Sequence, residues 1–147
     1  MKNLILLVTA IFFSLITYSQ TFVFNVTEII SYRAEGNLSY SQTKENAKWK
    51  TPLEPISCSY EFDMVNKTST FYHNGVKINT LNFSEFSKKG DNYTIKVKDY
   101  NTLNPSEVIE TVFTIDSKNM LFFMSWFVPS TNFTRAQFHT KVTSSIK

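Results

Sequence analysis

Strict alternation of apolar and polar residues is the feature that most constrains this chain. Ile56, Cys58, Tyr60, Phe62 and Met64 are interleaved with Ser57, Ser59, Glu61 and Asp63. A β-strand points successive side chains to opposite faces, so such a segment has one dry face and one wet face. Phe22, Phe24, Val26, Ile30 and Tyr32 share one parity, interrupted by Glu28, and Tyr93, Ile95 and Val97 alternate with Thr94, Lys96 and Lys98. No window carries a sustained helical stripe.

Turn signals divide these runs into about eight strands. Asn66-Lys67 leads into Thr68–His73, and Asn74-Gly75, the strongest hairpin signal, leads into Val76–Phe83. Ser84–Asn92 is polar, contains Gly90-Asp91 and reads as a loop; Asn101–Ser106 reads as a turn around Pro105. Ile109, Thr111, Phe113 and Ile115 form the next strand, followed by a turn at Asp116–Asn119. Met120–Val128 is apolar on both faces apart from Ser125, as expected of a strand covered on both sides, and Pro129 stops it. Thr134 to Val142 completes the set. The fold class is therefore all-β, a single antiparallel barrel or sandwich, with the barrel favoured. The exception to short turns is Glu35 to Pro55, a polar stretch with Tyr40 and Trp49 that reads as a lid or binding loop. A helix from Ser41 to Lys50, with Ser41 as its N-cap, fits it, and so does a strand plus a disordered stretch.

The N-terminus reads as an address. Lys2 precedes an uncharged apolar run from Leu4 to Ile16, and Thr17-Tyr18-Ser19 supplies small residues before Gln20. The run is short for a membrane span, which needs ~20 residues. A cleaved export signal over residues 1–19 and one domain over 20–147 are expected, with no integral membrane segment after cleavage. The product would be periplasmic or secreted. Removing 19 of the 147 residues leaves 128, enough for one domain with a real core. Lysine dominates the basic residues and Asn, Thr, Ser and Phe are abundant, a bias like that of A/T-rich bacterial genes. Sequons at Asn25, Asn37, Asn66, Asn82, Asn92 and Asn132 follow from that composition.

In length, export signal and strand order, residues 21–142 resemble small secreted lipocalin-like proteins of the calycin type. The Gly-x-Trp of the first lipocalin strand has no counterpart, since the early Trp stands in Lys48-Trp49-Lys50. The resemblance implies a cup-shaped barrel holding one apolar molecule.

Catalytic signals are sparse. Cys58 is the sole cysteine and shares the apolar parity of its strand, which suits a buried, inert thiol. His73 and His139, the two histidines, lack the short ligand spacing of metal sites. Glu61 and Asp63 lie two apart on one strand, and Glu107 and Glu110 flank another; both pairs read as solvated faces, as do Lys88, Lys89, Lys96 and Lys98. A formal charge of +3 is too small and too dispersed for nucleic acid. No enzyme activity, cofactor or metal is expected. The aromatic excess is the remaining functional signal: Phe122, Met124, Trp126 and Trp49 are the candidate ligand-lining residues, although the same side chains could simply fill a core. The expected function is a non-enzymatic binding module for a small apolar or amphiphilic ligand. The alternative is an interaction or structural protein of the cell envelope or secreted milieu, with a protein partner and no cavity.

Overall fold

The computed structural model describes residues 20–51, 54–101 and 104–146; the expected export signal, Met1–Ser19, lies outside the described residues. The strands are β1 (Thr21–Glu35), β2 (Trp49–Lys50), β3 (Glu54–Asp63), β4 (Thr68–His73), β5 (Val76–Lys89), β6 (Asn92–Asn101), β7 (Asn104–Asp116), β8 (Leu121–Val128) and β9 (Phe133–Ile146). β1 and β3 to β9 pair in order, and β9 returns to pair with β1, which closes an eight-stranded antiparallel barrel. Closure removes the sheet edges that an open sandwich would expose. β2 is an extra two-residue strand that pairs with the end of β1, with Arg33 opposite Trp49.

One end of the barrel is filled. Phe22, Phe24, Val26, Cys58, Tyr60, Phe62, Tyr93, Ile95, Val97, Phe113, Ile115 and Phe122 form a buried cluster at this base. Phe122 stands 4.7 Å from Phe24 and 5.0 Å from Tyr60, ring centre to ring centre. Phe62 meets Phe113 edge to face at 5.0 Å. Each such aromatic contributes roughly 2–3 kcal/mol by leaving water, so this cluster anchors the fold. The turns at this end are tied together. Met64 N–H donates to the Gln20 carbonyl at 3.0 Å, and Ser117 N–H donates to the Asp91 carbonyl at 2.9 Å.

The polar stretch 84–92 is strand rather than loop. β5 runs to Lys89 and β6 starts at Asn92, leaving Gly90-Asp91 as the turn, with Gly90 at φ +59°. Its side chains are mostly exposed, and the backbone ladder with β6, not burial, carries it. The expected turn at 101–106 is also shorter, since β7 begins at Asn104. Asn74 and Gly75 both take positive φ, as a two-residue hairpin turn of the inverted type requires.

The single parity read for β1 is wrong beyond Val26. Thr27 and Glu28 both lie outside the core, while Val26 and Ile29, three residues apart, are both buried in it. The pairing register shifts at the same place, so the strand carries a bulge. Ile30 and Tyr32 therefore face outward, whereas Ser31 and Arg33 face the barrel lumen.

The long segment after β1 forms a helix, α1 (Tyr40–Glu45), shorter than expected and capped by Ser39 rather than Ser41. Ser39 and Gln42 cap it reciprocally: the Ser39 hydroxyl accepts from Gln42 N–H, and Ser39 N–H donates to Gln42 Oε1 at 3.0 Å. α1 packs on the outside of the barrel against β1, β8 and β9. Small buried residues there, Ala34, Ser125 and Ala136, leave room for it, and Thr43 is fully buried beneath. Tyr40 packs on Phe123 with ring centres 4.9 Å apart and planes tilted by 37°. This explains why Met120–Val128 is apolar on both faces: Phe122 serves the base, and Phe123 serves the helix.

Candidate functional site

The other end of the barrel is not filled. Two adjoining cavities open there, of about 360 and 520 Å³, and both are bordered by Trp126 and Arg135. Ser31, Arg33, Trp49, Thr51 and Gln137 are among the others lining the first; Asp99, Asn101, Ile109, Thr111, Met124 and Val128 are among those lining the second. Register explains the convergence. Arg33 stands opposite Arg135 on β9, and Arg135 stands opposite Trp126 on β8. Directly paired residues of adjacent strands share a face, so all three side chains enter the mouth.

The segment carrying Trp49 is held by backbone bonds rather than by its own apolar contacts. Lys48 N–H donates to the Arg33 carbonyl at 2.9 Å, and Thr51 N–H donates to the Ser31 carbonyl at 3.0 Å. Ser31 N–H in turn donates to Thr51 Oγ1 at 3.0 Å. Trp49 is 52% exposed, its ring 5.5 Å from that of Phe133. The Arg33 guanidinium packs on both rings, 4.3 Å from the centre of Trp49 and 3.9 Å from that of Phe133, within the range of an attractive cation–π contact. Arg33 Nε is buried and has no hydrogen-bond partner. Gln137 Nε2 donates to Ser31 Oγ at 3.3 Å across the cavity wall.

The floor of the mouth is Met124, whose sulfur accepts from the Tyr60 hydroxyl at 3.6 Å. Burial pushes the Tyr60 phenol well above its ordinary range and also raises the Cys58 thiol beside it, the opposite of what a nucleophile needs. At the rim, Glu107 accepts from Asn101 and from Ser130 N–H, and these hydrogen bonds hold its carboxyl below the usual range. They fix the β6–β7 hairpin to the 3₁₀ turn Pro129–Thr131. Among the described residues, no three His, Cys, Asp or Glu side chains converge as a metal site requires. No described helix is long and apolar enough to cross a membrane.

Of the four residues expected to line a site, Trp49 and Trp126 meet at the first cavity, and Met124 and Trp126 at the second. Phe122 sits apart from them, 1% exposed within the packed base. Tyr40, considered as a cavity-closing residue, is the first residue of α1 and packs on the outer wall of the barrel. Arg33, Arg135 and Gln137 escaped notice because they occupy interior-facing positions that a reader of alternation assigns to apolar residues. The available signal was residue choice: these are the two arginines of a chain whose other basic residues are lysines. Comparison of the chain with protein families, curated proteins and solved structures found no match.

Proposed function

We propose that this protein is an exported, non-enzymatic binding module that takes one small apolar or amphiphilic ligand in the mouth of its barrel. The observation that carries this reading is the contrast between the two ends: aromatic side chains fill the base, whereas the mouth keeps open volume beside Trp126 and Met124. Apolar walls with a few convergent polar groups are what small-molecule sites need, because apolar contact supplies affinity and the polar groups supply orientation. The polar groups at this mouth favour an amphiphile over a wholly apolar guest. The lipocalin-like resemblance agrees with a cup that holds one molecule, and the alternative of an interaction protein without a cavity gains no support from a hollow mouth.

Titration of the mature protein with a panel of medium-chain fatty acids, alcohols and aromatic acids tests this. A saturable change in tryptophan fluorescence is expected, reduced in Trp126→Phe, where Trp49 is the remaining reporter at the mouth. No response to any member, in protein shown by circular dichroism to be folded, refutes the binding module. Export is tested separately: protein recovered outside the cytoplasm should begin at or within a few residues of Gln20.

A further inference from the structure

The chain has two arginines, and the fold places both in one cavity. Arg33 and Arg135 are direct partners in the β1–β9 ladder and line the same 360 Å³ space. Like charges placed opposite each other on one sheet face repel. Neither has an ion-pair partner among the described residues, and Asp99, the carboxylate that lines the second cavity, accepts instead from the Asn79 side chain and Tyr100 N–H. Arg33 is further stripped of water by Trp49 and Phe133, and its Nε is a buried donor without an acceptor. An unsatisfied buried donor destabilises a fold, so the arrangement costs the protein stability on two counts. A guanidinium also differs from an ammonium in kind. It is planar, remains charged, stacks on aromatic rings and presents a fork of donors that matches a carboxylate.

We infer that the mouth recognises a carboxylate-bearing amphiphile, with its head on Arg33 and Arg135 and its apolar body against Trp126 and Met124. This inference rests on the binding module proposed above and names the class of its ligand. The two guanidiniums supply charge-assisted hydrogen bonds, and the bound anion relieves their mutual repulsion. Gln137 and Ser31 add neutral hydrogen-bonding groups on the same wall.

Decanoate and decanol share a chain and differ in the head, so isothermal titration of both separates the two levels of the argument. Decanoate is expected to bind on the order of tenfold tighter or more, the size of a charge-assisted hydrogen bond. Arg135→Gln, at an exposed position of β9, should erase most of that gap by weakening decanoate far more than decanol, and circular dichroism of the variant verifies its fold. Arg33→Gln should narrow the gap in the same way. Equal affinity for the two ligands overturns the carboxylate inference and leaves the binding module standing. Binding of neither overturns both. A gap that survives in both arginine variants overturns the assignment of the head to this pair.

Discussion

Truncating two residues of β8 that face the same lumen separates a filled base from an open mouth. Phe122 is 1% exposed and lies within 6.0 Å of Phe62 as well as close to Phe24 and Tyr60. Phe122→Ala removes a ring from a space its neighbours cannot collapse into, a loss of about 3–5 kcal/mol. For a domain of this size each kcal/mol moves the melting temperature by roughly 3–5 °C, so a fall on the order of 10–20 °C is expected. Trp126, four residues on, borders both cavities. Its truncation enlarges space already in contact with solvent and forfeits only part of its packing, so Trp126→Ala should cost no more than about 2 kcal/mol. Urea denaturation with both variants, read by far-ultraviolet circular dichroism, measures the difference independently of tryptophan emission. Equal destabilisation by the two substitutions would falsify the division of the lumen into packed and open halves.

Three further outcomes follow from individual contacts. Tyr40 Oη is buried without a hydrogen-bond partner, so Tyr40→Phe should keep the ring contact with Phe123 and raise stability by about 1 kcal/mol, seen as a higher melting temperature. The Thr134 hydroxyl donates to the Gly36 carbonyl at 2.6 Å and accepts from Leu38 N–H at 2.9 Å. Thr134→Val keeps the shape but strands both backbone groups, so a loss of about 1–3 kcal/mol and faster amide exchange at Leu38 are expected. Asp63 and Asp116 cap the turns at the base, and both carboxyls are held below their ordinary value, Asp63 chiefly by Asn66 N–H and Asp116 chiefly by the Asn119 side chain. A depressed carboxyl favours the fold above its unfolded value near 3.8 and ceases to do so as pH falls through the lower folded value. Melting temperature should therefore drop below about pH 4, and the drop should be shallower in the double variant Asp63→Asn, Asp116→Asn.

Alternation made the strands legible because a half-buried strand needs it, and Ile56 to Met64 follows it without exception. It failed where the physics has another source. At Ser84–Lys89 both faces are wet, so no pattern announces the strand that the β6 ladder supports. At Thr27-Glu28 an extra residue resets the parity, which a fixed period of two cannot anticipate. The arginines were hidden by a subtler assumption, that the inner face of a strand is dry along its whole length. In a barrel filled only at one end, the inner face turns polar as it approaches the mouth. Trp49 and Trp126, which border the open mouth, stand out in the sequence because aromatic rings draw notice on either face. Phe122 was placed with them because sequence spacing does not say how deep in the lumen a residue sits.

The irregularity between Val26 and Ile29 means that β1 serves two masters, and a single peptide unit decides which. Were the same residues threaded as an unbroken zigzag, Glu28 would turn into the core and every later side chain would swap from lining to casing. Ile30, Tyr32 and Ala34 would then plug the throat, and Arg33 would be pressed beneath α1, against the small residues that cradle the helix. One irregular peptide unit in that strand thus separates a receptacle from a stopper.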